Sequence, residues 1–172
     1  EITSERTISN GSRTTMAEPK LVKAVVVAGG FDPLHLGHVQ HIEAAAKLGK
    51  PLWVITHTDE ALVLKKGYCL LPLSHRFALL GALSLVFGVL VAEDFGDADG
   101  TVTKTVLKLA KRVRGFWPQG FIYAKGGDRT PENMPPQELA AFEAAGIEVV
   151  YGVGKQLASS QDLVLQAAKK LQ

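Results

Sequence analysis

The sequence predicts an α/β fold: a Rossmann-like, doubly wound sheet of five parallel strands with helices on both faces. Three observations predict it. Short β-branched runs alternate with longer segments of helical period from Met16 onward. Turn and cap residues fall between those runs, and a length of 172 residues suits one compact core.

Strands are expected at 22–28, 51–57, 89–92, 121–125 and 147–152. A first helix over 37–48 puts Val39, Ile42 and Ala46 on one face, and a second over 101–113 does the same with Val102, Val106, Leu109 and Val113. Gly49 follows the end of the first helix, and Pro136 opens a helix that Gly146 closes. A last helix, 160–171, follows the fifth strand after a loop, and 58–73 is read as the longest irregular segment. Ligands of an open parallel sheet collect beyond the carboxyl ends of its strands, so 58–73 and the loop after the first strand are favoured for chemistry.

Apolar residues make up 47% of the chain, enough to fill one core. No run approaches the ~18 apolar residues of a membrane span. The richest stretch, 77–92, is broken by glycines and Ser84, so no membrane partner is expected. The formal charge is only +2 and the basic residues are spread out, which argues against general nucleic-acid binding. Cys69 is the single cysteine, so no internal disulfide can form; this suits a reducing, cytoplasmic compartment. Residues 1–15 are polar with no apolar h-region and are read as a disordered leader or an expression remnant, leaving 16–172 as the domain. There is no internal repeat, and homo-oligomer formation stays open.

The first strand runs straight into Gly29-Gly30-Phe31-Asp32-Pro33-Leu34-His35-Leu36-Gly37-His38, where a helix starts. Glycines let the backbone approach a ligand, and the free amides at a helix start face an anion, so this junction favours phosphate. His35 and His38, three residues apart, can reach the same phosphate chain, and Gly37 between them leaves room for it.

The string GGFDPLHLGHVQHIEAA resembles the HxGH signature of the cytidylyltransferase-like nucleotidyltransferases. Downstream, Leu64-Lys65-Lys66-Gly67, Arg76, and Lys125-Gly126-Gly127-Asp128 followed by Pro131-Glu132 fall in the order and spacing of one branch. That branch is the adenylyltransferase domain of the bifunctional heptose 7-phosphate kinase/heptose 1-phosphate adenylyltransferase, and the likeness covers about 22–172. The resemblance implies transfer of a nucleoside monophosphate, AMP favoured, from ATP or CTP to a sugar phosphate or similar small phosphorylated acceptor. Pyrophosphate leaves by direct in-line attack. Magnesium travels on the nucleotide, and no side chain is expected to bind the metal.

By the same resemblance, His35 and His38 contact the triphosphate, and Lys65 or Lys66 binds phosphate from the loop after the second strand. Arg76 supports that loop or the phosphates. Gly29, Gly30, Phe31, Asp32 and Gly37 form the cradle; Lys125, Gly127 and Asp128 contact the nucleotide, as do Ser159 and Ser160 at the last helix. Two departures stand out. Ala158-Ser159-Ser160 replaces the family's serine followed by two threonines, and Leu70-Leu71-Pro72 replaces an arginine before proline.

Simpler roles compete at several positions. Asp32 before Pro33 is also ordinary turn chemistry, Ser159 and Ser160 are natural helix caps, and neighbouring lysines are commonly just solvated. His41 is read as acceptor-facing or solvated, with solvated favoured, His57 as a strand-edge residue or a ligand contact, and Trp53 and Trp117 as packing residues. The rival functions are a cytidylyltransferase for glycerol phosphate or another alcohol phosphate, and a catalytically silent nucleotide-binding module.

Overall fold

The structure is a computed structural model that describes residues 23–93, 102–127, 129–154 and 159–171. The expected leader, the first residue of the first strand, Asp128 and Ala158 lie outside the described residues.

The strands are β1 (Ala24–Gly29), β2 (Leu52–Thr56), β3 (Gly88–Val91), β4 (Phe121–Ala124) and β5 (Ile147–Val150). They form one parallel sheet of five strands in the order β3-β2-β1-β4-β5. The helices are α1 (Leu36–Ala46), α2 (Asp59–Lys66), α3 (Leu73–Gly81), α4 (Thr103–Val113), α5 (Pro136–Ala144) and α6 (Ser160–Lys170). The central strand β1 shows why the sheet is doubly covered. Successive side chains point to opposite faces, so Val25 and Val27 pack with Phe31, Ile42, Ala45 and Leu80 on the α1/α3 side. Ala24 and Val26 pack with Val106, Leu109 and Phe142 on the α4/α5 side.

The order of the strands places the site. The chain steps outward from β1 to β3, then returns to lay β4 on the other side of β1. The crevice beyond the carboxyl ends of β1 and β4 is therefore the topological switch point, where helices diverge and a ligand can enter.

One expectation is corrected. Residues 58–73 are not irregular, because α2 occupies half of that stretch. Thr58 caps it by accepting from the Ala61 amide at 3.1 Å, Asp59 and Glu60 fill the first turn, Lys65 and Lys66 the last, and Gly67 at φ 82 ends it. Only Leu62 of this helix is buried, so it shows no apolar period to betray it. Helix α3 was not foreseen either; it buries Arg76 and Leu80. Elsewhere the turns are tight: a Cβ on Gly49 would overlap the Lys23 carbonyl oxygen beside β1. Trp53 and Trp117 both meet the Phe87 ring edge-on, at 5.0 and 6.1 Å. Among the described residues no helix is long and apolar enough to cross a membrane.

Candidate active site

Beyond Gly29 the chain must turn sharply from strand to helix, and it does so through Phe31, a non-glycine residue at φ 52. Such a conformation costs on the order of 1–3 kcal/mol and needs anchoring. The anchor is the Phe31 ring, 2% exposed and packed into the α1-side core, with Gly29 leaving space above it.

Asp32 makes the contacts of a structural residue. Its carboxylate is fully buried and accepts from the Leu71 amide at 2.6 Å and the Leu70 amide at 2.7 Å. It ties the loop after β1 to the loop after α2 and does not line the cavity. Asparagine there would turn one acceptor into an NH2 facing a backbone N–H. Asp32→Asn is expected to lower stability by about 1–3 kcal/mol. An unchanged urea midpoint would show that these two bonds carry no weight.

Arg76 makes bracing contacts of the same kind. Its guanidinium is fully buried and donates to the carbonyls of Gly30 (3.0 Å), Leu71 (2.9 Å) and His57 (2.8 Å), to Thr56 Oγ1 (2.8 Å) and to Asp59 Oδ1 (2.6 Å). With every arm engaged it braces the end of β2, both loops and the start of α2, and it is no part of the cavity wall. Of its two expected roles it performs the support.

The cavity that these braces shape has a volume of about 530 Å³, within the range of small-molecule sites. His35 stands at the N-cap of α1 and His38 in its first turn, their rings stacked at 3.8 Å. The His35 backbone N–H donates to His38 Nδ1 at 3.3 Å, so the neutral His38 ring carries its proton on Nε2. Burial, followed by the charges of His35, Lys66 and His41, holds His38 down to about 3. Burial and then Lys66 also lower His35. The pair is a neutral hydrogen-bonding surface, and His35 Nδ1 is buried with no hydrogen-bond partner among the described residues.

Lys65 and Lys66, from the last turn of α2, reach the same wall. Lys66 Nζ lies 3.7 Å from where a Cβ on Gly30 would stand, so the ammonium leans over the glycine loop. Gly37 also lines the cavity. Ser159 caps α6, accepting from the Asp162 amide at 3.0 Å, and Ser160 Oγ donates to the Pro33 carbonyl at 3.1 Å. Both line the cavity beside the histidines.

Lys125, Gly126 and Gly127 follow β4 and line the same cavity. Lys125 Nζ lies 4.2 Å from the centre of the Tyr123 ring and 3.4 Å from Glu138 Oε1. Burial lowers the Lys125 pKa, and Glu138 opposes that shift. His41, expected in solvent, is part-buried on the wall with Nδ1 2.6 Å from the Val153 carbonyl oxygen. His57 is buried at the strand edge and also borders the cavity. Sequence reasoning missed Glu138, Arg129 and Gly154. A glutamate in a helix's first turn resembles any other, and no local signal shows that it faces a crevice.

The sequence profile of the cytidylyltransferase-like family matches residues 26–118, more than half of the 172-residue chain. The chain belongs to the cytidylyltransferase-like family. The match takes in β1 from Val26 onward, the paired histidines, both lysines of α2, Arg76 and all of α4. Among curated relatives of this cytidylyltransferase-like chain is the bifunctional protein HldE of Hydrogenovibrio crunogenus, 33% identical over 149 residues, 86% of this chain and 26% of that protein. HldE of Vibrio vulnificus is 33% identical over 141 residues, 81% of this chain and 25% of its own length. The chain thus spans about a quarter of these relatives.

Solved structures share the fold. The lipopolysaccharide core biosynthesis protein of Thermoplasma volcanium superposes with TM-score 0.58 at 23% identity, covering 78% of this chain and 99% of that one. A bifunctional NMN adenylyltransferase/ADP ribose pyrophosphatase from Francisella tularensis, complexed with AMP and a manganese ion, gives TM-score 0.54 at 12% identity, covering 84% of this chain and 41% of that one.

Proposed function

We propose that this chain transfers AMP from ATP to a small phosphorylated acceptor of the sugar phosphate class and releases pyrophosphate. The observation that carries the reading is the stacked, neutral His35–His38 pair at the start of α1, with Lys66 leaning over the adjoining glycine loop. A neutral imidazole N–H, a lysine and open helix-start amides together suit a triphosphate. Adenine is favoured because the Lys125-Gly126-Gly127 segment resembles the adenylyltransferase branch.

An acceptor phosphate oxygen attacks the α-phosphorus, and the bond from that phosphorus to the oxygen bridging the β-phosphate breaks. Pyrophosphate departs with the electron pair, and no covalent enzyme intermediate forms. Positioning and charge neutralisation then supply the catalysis. His35 and His38 donate to the phosphate oxygens as charge moves toward the leaving group, and Lys65 and Lys66 balance it. Among the described residues no group of three or more His, Cys, Asp or Glu could hold a metal. Magnesium is well served by substrate phosphates, and the cavity, rich in cationic and neutral donors, fits the ion as a passenger on ATP.

Calorimetry tests the phosphate half of the reading. Magnesium-ATP should bind at least about tenfold more tightly than adenosine, a difference worth about 1.4 kcal/mol. Equal affinity with or without metal would sink it and favour a base-sensing module. A pyrophosphate-release screen crossing the four nucleoside triphosphates with sugar, polyol and glycerol phosphates then assigns base and acceptor.

A further inference from the structure

Among the described residues, Glu138 is the one acidic side chain on a cavity wall that otherwise carries Lys65, Lys66, Lys125 and Arg129. A carboxylate facing two phosphorylated substrates is repulsive unless it has work of its own. Structural pairing with Lys125 accounts for it poorly. The contact is single and long, 3.4 Å, with the two side chains 13% and 5% exposed, and buried ion pairs of this kind add little net stability.

The position of the pair across the crevice supplies the role. His35 and His38 stand with Phe31 on the α1 side of the sheet. Lys125 lies over Tyr123, and Tyr123 and α5 belong to the other side. If the histidine side holds the departing pyrophosphate, in-line displacement brings the attacking oxygen from the opposite side of the α-phosphorus. That side is where Lys125 and Glu138 sit. An ammonium takes a phosphate, while an ionised carboxylate can only accept hydrogen bonds, two oxygens suiting two hydroxyl donors.

The geometry points to Glu138 as a specificity-determining residue for the acceptor: it accepts hydrogen bonds from the hydroxyls of a polyhydroxylated phosphate, and Lys125, which the family resemblance puts on the nucleotide, holds the phosphate of that acceptor instead. The assignment rests on the nucleotidyl-transfer reading above. It deepens that reading by naming the group that separates a polyol or sugar phosphate from a plain alkyl phosphate.

The test is a binding titration of full-length protein with a non-hydrolysable ATP analogue and magnesium present. The probes are glucose 1-phosphate, ribose 5-phosphate, glycerol 3-phosphate and, lacking hydroxyls, propyl phosphate. At least one polyol phosphate should bind about tenfold or more tighter than propyl phosphate, the scale of one hydrogen bond to a charged group. Glu138→Gln should bring that preference to within about twofold, since the amide retains one weaker acceptor, and leave the affinity for the ATP analogue unchanged. If Glu138→Gln melts below the assay temperature, Glu138→Asp withdraws the carboxylate by one methylene, keeps its charge, and should reduce the preference likewise. No preference in the wild type, a preference that survives substitution, or a loss confined to the ATP analogue would each overturn the assignment. Failure of the wild type to bind the ATP analogue at all would instead count against the nucleotidyl-transfer reading.

Discussion

His38→Ala and His35→Ala are each expected to cut turnover about 100-fold, or about 3 kcal/mol, the usual loss when one well-placed transition-state donor is removed. The rings form one stacked surface, so the double variant should lose less than the product of the single losses. His38→Asn should recover part of the activity, because the neutral ring acts as a donor and no proton need move. Stability should fall by no more than about 1–2 kcal/mol, since both residues are only part-buried. Normal turnover in both folded alanine variants would remove the histidines from the reaction.

The depressed His38 pKa gives this prediction a pH signature. Its folded value, about 3, lies below the ordinary 6.5, so between them the unfolded chain binds more protons than the folded one. Stability is therefore lost as pH falls from about 6.5 toward 3. His38→Ala lacks that contribution, and urea midpoints taken at neutral pH and near pH 4.5 should lie closer together in the variant. For the same reason kcat/KM, which reports groups of the free protein, should show no limb near 6.5 from His38.

Arg76→Met is expected to cost about 3–5 kcal/mol, the largest stability loss of any substitution considered. Methionine fills the space, but the carbonyls of Gly30, Leu71 and His57 lose a charged donor and Asp59 loses its counter-ion. That is a large share of the 5–15 kcal/mol typical of a domain and should lower the melting temperature by roughly 10 °C. Arg76→Lys should rescue little, because one ammonium cannot span sites that a planar fork reaches together. A variant that kept its urea midpoint but lost triphosphate affinity would return Arg76 to the phosphates.

The fold was legible because it rests on local patterns. β1 announces itself as a β-branched run and α4 as a clear apolar period, because each is covered by core along its length. Helix α2 escaped although Thr58, Asp59, Glu60 and Gly67 are all start or stop signals, because one buried leucine makes no period. The histidine pair was legible as well, since three residues of a strand-to-helix turn hold its geometry.

Asp32 and Arg76 show the opposite case. A polar residue near a motif reads as a ligand contact in one dimension, and only burial and the direction of its hydrogen bonds show that it holds loops together.

The sequence by itself determined the α/β class and the glycine-rich strand-to-helix turn that carries His35 and His38, because these depend on neighbours within a few positions. Tertiary structure alone decided that Arg76 and Asp32 bond between loops, that His41 joins the wall, and that Glu138 lines the same cavity as the histidines. Those roles depend on the return of the chain to lay β4 against β1, which brings residues about a hundred positions apart into one cavity.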